Sequence, residues 1–458
     1  MTIRFDAIII GTGQAGPPLA ARLSKAGMKV AVIERKMFGG TCVNTGCIPT
    51  KTLVASAYVA HTARRAPEYG VATGTVAVDM KRVKARKDEI AGDANKNVES
   101  WMRKLANVTV YQGHARFESP RTMRVNDDLL EADKIFINVG GRALVPPLPG
   151  LDQVNYLTNS SMMDADFLPE HLIVIGGSYI GLEFGQMYRR FGSQVTIVEK
   201  TARLIGREDE DISRSVQEIL EAEGVQIRLK AKCMTVKKNG ERVIVSLDCG
   251  EGSREVAGSH LLLAVGRVPN TDDLGLEKAG VETDEDGYIK VDDQLRTNVP
   301  GIWALGDCNG KGAFTHTAYN DYEIVAANLL DHDPRKVSDR IMTYALFIDP
   351  PLGRAGMTED EVRKSGRKAL SATRPMTRVK RAVEKGETQG FMKAIVDADT
   401  KQILGAAILG VTGDEVIHTL LDVMVAKAPY TTVSRAMHIH PTVSELLPTL
   451  LQDLKPME

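Results

Sequence analysis

"FDAIIIGTGQAGPPLAARLSKAGMKVAVIER", residues 5–35, decides the fold. A β-favouring apolar run ends in Gly11, Gly13 and Gly16, an amphipathic segment follows, and a second β-rich run closes on Glu34. Strand, glycine turn, helix and strand in this order make a dinucleotide-binding unit. Its glycines let the backbone approach a pyrophosphate at a helix N-terminus, and its acid accepts hydrogen bonds from a ribose.

The plan recurs in "LIVIGGSYIGLEFGQMYRRFGSQVTIVEK", residues 172–200, with Gly176, Ser178, Gly181 and a closing Glu199. Two such matches, each after an apolar run and each closed by an acid, argue for a duplicated nucleotide-binding unit over two ordinary βα turns. In the second copy Ser178 stands where the middle glycine is expected. The residues leave the nucleotide open: the Glu199 carboxylate repels a 2′-phosphate, while Lys200, Arg203 and Arg207 lie close enough in sequence to attract one.

Between the two units, residues 79–105 read as a charged helix whose basic residues form a solvated face. Short alternating strands follow over 108–117 and 122–141, and the Pro- and Gly-rich stretch 144–152 marks a crossing into the second domain. "IWALGDCNG", residues 302–310, reads as another buried strand, capped by Gly306 and Asp307. Beyond about residue 336 the pattern changes to β-rich runs and helices, which predicts a separate α+β domain.

At 458 residues, 43% hydrophobic and 26% charged, the chain has the composition of a multidomain globular protein. A formal net charge of −1 supplies no field for nucleic acid or an anionic membrane. No uncharged apolar run approaches the roughly 20 residues of a membrane span. The opening run passes directly into glycines without the pattern of a secretory signal, so a cytoplasmic location is expected. Five cysteines in such a chain would stay mostly reduced there.

Two of the five, Cys42 and Cys47, lie in "GGTCVNTGCIPTK", residues 39–51. A regular helix would separate them by roughly 7.5 Å along its axis, whereas a disulfide needs its Cα atoms within about 4.4–6.8 Å. The segment must turn if the pair is to close, and Asn44, Thr45 and Gly46 permit turning. Pro49 then suits the first turn of a helix through residues 50–63. Cys47 falls near that N-terminus, where the helix dipole favours a thiolate. No second Cys or His pair lies nearby at metal spacing, which disfavours zinc, and no metal site is expected. Cys233, Cys249 and Cys308 read as unreactive.

"GGTCVNTGCIPTK" resembles the active-site signature of the pyridine nucleotide-disulfide oxidoreductases, which include dihydrolipoamide dehydrogenase, glutathione reductase and mercuric reductase. The resemblance continues in order, from about residue 5 to about residue 450, through "GTGQAG", "GGSYIGLE", "AVGRVPN", "IWALGDC" and "HPTVSE". It implies an α/β fold with two doubly wound dinucleotide-binding domains, for FAD and NAD(P), and a C-terminal α+β dimerisation domain. The implied boundaries are 1–148 for the FAD-binding domain with the cysteine pair, 149–266 for the NAD(P)-binding domain, 267–335 for the second FAD-binding part and 336–458 for the interface domain.

Carried over position by position, the resemblance gives FAD to Gly11, Gly13, Gly16, Glu34, Gly40, Thr41, Lys51, Ala115, Gly140, Asp307 and Thr315. It gives NADH or NADPH, with NADH favoured, to Gly176, Ser178, Tyr179, Ile180, Gly181, Glu199 and Gly266. Cys47 would face the flavin and Cys42 would attack the substrate, with a Lys51–Glu183 ion pair beside the flavin and Tyr179 gating the nicotinamide pocket. His440 and Glu445 in "HIHPTVSELL" match a dyad that reaches across from the partner of a homodimer. Thiol–disulfide exchange needs such a base and acid, and imidazole titrates in the useful range.

"FIDPPLGRAGMTEDE", with Pro351 and Leu352, and the "HP" of the final motif resemble bacterial reductases associated with reactive chlorine and copper stress. Residues 375–410 are more like the mercuric reductase branch than glutathione reductase, although no cysteine pair stands near the C-terminus. The expected activity is transfer of electrons from NAD(P)H through FAD to the Cys42–Cys47 disulfide and on to a disulfide acceptor. A metal ion such as Hg(II) or Cu(II) is the alternative.

Overall fold

The computed structural model describes residues 2–232, 234–247 and 255–457, so the expectations for Cys233 and Cys249 lie outside the described residues. The first strand, β1 (Thr2–Ile10), is buried without a break from Ala7 to Ile10. Burial on both faces explains why this run is continuously apolar instead of alternating. The chain turns through the glycines into α1 (Gly16–Lys25) and returns in β2 (Val30–Glu34), parallel to β1.

Two helices meeting at a two-residue break come next, α2 (Gly40–Asn44) and α3 (Cys47–Arg65), followed by α4 (Met80–Arg103). Strands β3 (Val108–Gln112), β4 (Ala115–Ser119), β5 (Thr122–Val125) and β6 (Asp128–Ile137) complete the sheet order β3-β2-β1-β6-β5-β4. A seventh strand, Ile302–Ala304, returns from far along the chain to pair in parallel with β6. The strand that ends in the Gly306–Asp307 turn therefore belongs to the first sheet.

Asp79 caps α4, its carboxylate accepting from the Arg82 N–H at 3.1 Å. One charge on this helix departs from the expected solvated face. Lys87 is 4% exposed, and its ammonium donates to the Met163 carbonyl at 2.6 Å. A counted excess of charge does not say which side chain the neighbouring domain covers.

The second unit forms a five-stranded parallel sheet in the order Gln226–Arg228, Gln194–Val198, His171–Ile175, His260–Leu263, Tyr156–Thr158. It carries α5 (Tyr179–Phe191) and α6 (Glu210–Ala222), with an antiparallel three-stranded meander alongside. Gly141–Ala143 and Arg267–Pro269 pair as a two-stranded antiparallel sheet, and a six-stranded antiparallel sheet runs from Thr343–Leu346 through Leu352–Gly356 to Lys455–Pro456.

A continuous apolar core joins these parts, since Leu53 of α3, Leu182 of α5 and Leu346 and Leu409 of the antiparallel sheet belong to one cluster. Buried ions fasten the same seam. Arg190 on α5 bridges Glu223 and Asp349, each at 2.7 Å, and Arg354, 1% exposed, pairs with Glu208 and with Asp209 at 2.8 Å.

Candidate active site

Both glycine turns are built alike. Gly11 has φ +97°, and a Cβ there would lie 2.3 Å from the Asn138 carbonyl oxygen; one on Gly16 would lie 2.4 Å from the Gly11 carbonyl oxygen. In the second unit a Cβ on Gly176, φ +116°, would lie 2.3 Å from the Ala264 carbonyl oxygen, and one on Gly181 only 2.0 Å from that of Gly176. Ser178 has φ −109° and ψ −176°, extended backbone that any residue adopts, and its side chain is exposed. A serine therefore costs nothing in backbone geometry at the place where sequence comparison expects glycine.

Each closing acid is tied back to its turn. Glu34 Oε2 accepts from the Thr12 N–H at 3.0 Å and the Thr12 hydroxyl at 2.6 Å. Glu199 accepts from the Gly177 N–H at 2.7 Å and the Thr201 N–H at 2.8 Å. The Asn138 amide adds a bond to the Gly13 carbonyl at 3.1 Å, a contact no short motif announces.

The first turn opens into a cavity of about 1220 Å³ that runs from Glu34 past the cysteine pair to the helix Gly413–Val425. Of the positions expected at the site, Gly11, Gly13, Glu34, Gly40, Thr41, Cys42, Cys47, Lys51, Ala115, Gly140, Tyr179, Ile180, Glu183, Asp307 and Thr315 line it. Gly16 stands behind this wall, and Gly176, Ser178, Gly181, Glu199 and Gly266 belong to the second unit outside it. His316, Tyr344, Phe347, Asp414 and His418 also line the cavity, and sequence reading missed them.

The break between α2 and α3 supplies the turn required between the cysteines. The Thr45 N–H closes α2 on the Thr41 carbonyl at 2.9 Å, and a Cβ on Gly46 would lie 2.9 Å from that same oxygen. Asn44 donates to the carbonyls of Phe38 at 2.8 Å and Gly40 at 2.9 Å, while Asn95 of α4 donates to Asn44 Oδ1 at 3.0 Å. Neighbouring elements thus hold the bend from three sides.

Cys42 and Cys47 are thiols here and share a hydrogen bond. That bond, the Thr315 hydroxyl 3.1 Å from Cys47 Sγ, and the charge of Lys51 together push the Cys47 thiol down to about 6 against the opposing effect of burial. Cys42 moves the other way, because its proton is held by Cys47 and because burial and the neighbouring negative sulfur disfavour a second thiolate. Lys51 is itself fixed, with Nζ 2.7 Å from Glu183 Oε2 and 4.5 Å from the centre of the Phe347 ring. Glu183 Oε1 accepts from the Phe347 N–H at 3.0 Å.

Farther along the cavity, Asp307 faces Arg267 Nε at 3.5 Å, and burial raises its carboxyl despite that cation. His440 and Glu445 pair at 2.9 Å, Nδ1 to Oε2, with the imidazole 74% exposed. Neither lines the cavity. Beside them Met437 is fully exposed and Ile439 is 78% exposed.

FAD fits this chain on structural grounds: one cavity of about 1220 Å³ is lined by Gly11, Gly13 and Glu34 of the first glycine-turn unit and by both Cys42 and Cys47, and Gly13 leaves the backbone bare in that lining. Two glycine-turn units around a pair of thiols define a two-nucleotide redox protein.

The model of the pyridine nucleotide-disulphide oxidoreductases matches residues 5–321, and that of their dimerisation domain matches residues 342–451. The chain is 38% identical over 461 residues to RclA of Escherichia coli (strain K12), described as a probable pyridine nucleotide-disulfide oxidoreductase, spanning 99% of this chain and 100% of that one. It is 32% identical over 449 residues to the mercuric reductase of Streptomyces lividans, spanning 97% and 94%. A solved Cu(II) complex of the HOCl-induced flavoprotein disulfide reductase RclA from Escherichia coli superposes with a TM-score of 0.90 at 36% identity, covering 98% of this chain and 99% of that one.

The chain belongs to the pyridine nucleotide-disulphide oxidoreductase family, as an FAD-dependent oxidoreductase with NAD(P)H as electron donor. It carries that family's dimerisation domain. No helix among the described residues is long and apolar enough to cross a membrane.

Proposed function

We propose that Cys42 and Cys47 alternate between disulfide and dithiol and that the acceptor of their electrons is an external disulfide. One observation carries this reading: two thiols stand together across the α2–α3 break with the Thr315 hydroxyl 3.1 Å from Cys47 Sγ and Lys51 fixed by Glu183, an arrangement that favours the thiolate at Cys47 and the proton at Cys42. When bound, FAD would supply the two-electron redox chemistry that links NAD(P)H to the Cys42–Cys47 pair.

The chain's own residues divide the remaining work. Gly11, Gly13, Gly16, Glu34, Gly40, Thr41, Ala115, Gly140, Asp307 and Thr315 hold FAD, and Gly176, Ser178, Ile180, Gly181, Glu199 and Gly266 hold the nicotinamide nucleotide. Tyr179 covers the nicotinamide pocket. Cys42 gives its proton to a base and attacks one sulfur of the acceptor, breaking the acceptor's S–S bond and releasing one thiol. The Cys47 thiolate then attacks Cys42 Sγ, which releases the second thiol and restores the Cys42–Cys47 disulfide.

Because Cys42 holds its proton, the first step needs a base. His440, oriented by Glu445, has the right chemistry, but it does not line the cavity of its own protomer. The reading is therefore a homodimer in which each His440 serves the other subunit. The dimerisation domain and the apolar Met437 and Ile439 beside the dyad support it. The Glu199 carboxylate, anchored by two N–H groups, favours NADH. Thiol chemistry and a largely reduced cysteine set fit a cytoplasmic location. The chain divides at residues 148/149, 266/267 and 335/336.

A soft metal ion is the second reading, favoured by two adjacent thiols opening on one cavity. Turnover with a panel of disulfides, Hg(II) and Cu(II), each under matched NADH and NADPH, separates the two. Disulfide turnover that falls at least about a hundredfold in His440→Ala, with metal reduction little changed, is expected. Absence of turnover with every disulfide alongside rapid metal reduction overturns the first reading.

A further inference from the structure

Tyr179 begins α5 at the second glycine turn, and its ring enters the cavity. Among the described residues its hydroxyl has no hydrogen-bond partner. Its ring meets that of Phe314, centroid to centroid 5.6 Å at 47°, and its side chain packs against the apolar cluster that includes Leu182 and Leu346. Phe314 comes from the loop ahead of the helix Thr315–Ala326, immediately before the threonine that touches Cys47.

Everything else around Phe314 is fixed. Its ring lies parallel to that of His316, 5.4 Å away at 7°, and to that of Tyr344, 5.7 Å away at 6°. The His316 Nε2 bonds the Thr343 carbonyl at 2.6 Å, and the Tyr344 hydroxyl donates to Glu208, the carboxylate that Arg354 holds in the buried seam. At the backbone, the Phe314 N–H donates to the Thr317 hydroxyl at 3.1 Å, and that hydroxyl donates to the Phe314 carbonyl at 2.7 Å. A ring so tightly framed can serve as a stop for one that is not.

We infer that Phe314 is a positioning residue: it seats the Tyr179 ring over the nicotinamide pocket and so sets how readily NAD(P)H displaces that ring. The inference rests on the proposed role of Tyr179 as the cover of that pocket. With no hydrogen bond at its hydroxyl, this tyrosine moves at the cost of apolar packing and of its contact with Phe314, and the one aromatic pair corresponds to about two- to tenfold in an equilibrium constant. Loss of the seat should tighten nucleotide binding and also uncover the flavin to dioxygen, while the thiol half of the cycle is untouched.

The test is anaerobic stopped-flow reduction of the FAD-loaded dimer by NADH and by NADPH, followed by mixing of the reduced protein with dioxygen. Phe314→Leu is expected to lower the apparent Kd for NADH by about two- to tenfold, to leave the limiting reduction rate within about twofold, and to speed reoxidation. Phe314→Tyr should restore wild-type values, and in a Tyr179→Ala background Phe314→Leu should add nothing. Phe314→Met is the second ring-free variant if Phe314→Leu does not retain flavin. If Tyr179→Ala shifts nucleotide binding and reoxidation but neither ring-free variant does, the seat is wrong. If Tyr179→Ala itself shifts neither, the cover fails and the seat fails with it.

Discussion

Lys51 shows how much one side chain contributes to the thiol pair. Its ammonium stands between the Glu183 carboxylate and the Phe347 ring, and its charge helps lower the Cys47 thiol. A thiol lowered to about 6 is thiolate above that pH and takes up its proton as pH falls through it. In the reduced enzyme the long-wavelength absorbance of a thiolate against flavin should therefore persist at neutral pH and fade below about pH 6. Lys51→Met should move that midpoint upward by roughly one pH unit, and a spectrophotometric pH titration reads it directly. Cys42→Ala should remove the hydrogen bond that lowers Cys47 most and raise the same midpoint, while Cys42→Ser should abolish turnover with disulfides and leave flavin bound. Surviving turnover in that variant would remove Cys42 from the attack.

Glycine turns and the elements they join carry a different kind of constraint. Gly181 faces the Gly176 carbonyl, where a Cβ would approach to 2.0 Å, so Gly181→Ala must push α5 away from its strand. About 1–3 kcal/mol of strain is expected, read as weakened NAD(P)H-dependent reduction with flavin content and dithionite reduction unchanged. Such turns were legible in the sequence because backbone geometry leaves few alternatives to glycine there. The closing acids were legible for the same reason, since each ends a strand at a fixed distance from its turn. Thr315 was anticipated as a flavin contact, but its hydroxyl on Cys47 was not, because the two residues meet only after the chain has returned to the first sheet through Ile302–Ala304. Phe314, Tyr344 and the buried Lys87 were invisible for a related reason: their surroundings come from other sheets, and no local periodicity records them. Ser178 was the reverse case, a departure from a motif whose extended backbone accommodates a side chain without strain.

At the scale of the whole molecule, buried charge holds the second nucleotide sheet against the antiparallel one. Arg354 compensates Glu208 and Asp209 in the interior, so Arg354→Ala leaves two carboxylates without their cation. A loss of about 3–5 kcal/mol is expected, measured as a lower denaturant midpoint and faster thermal inactivation. An unchanged midpoint would mean that Lys393, 3.6 Å from Asp209, suffices alone. The dyad's position has another consequence. In the proposed arrangement, where His440 and Glu445 pair outside the cavity of their own chain and serve the partner's thiols, neither chain owns a complete centre. Two variants impaired in disulfide turnover, Cys42→Ser and His440→Ala, should then complement each other when their subunits are exchanged. In the mixed dimer one centre draws its thiols from the second parent and its imidazole from the first, and disulfide turnover in the mixture should exceed the sum of the two samples apart.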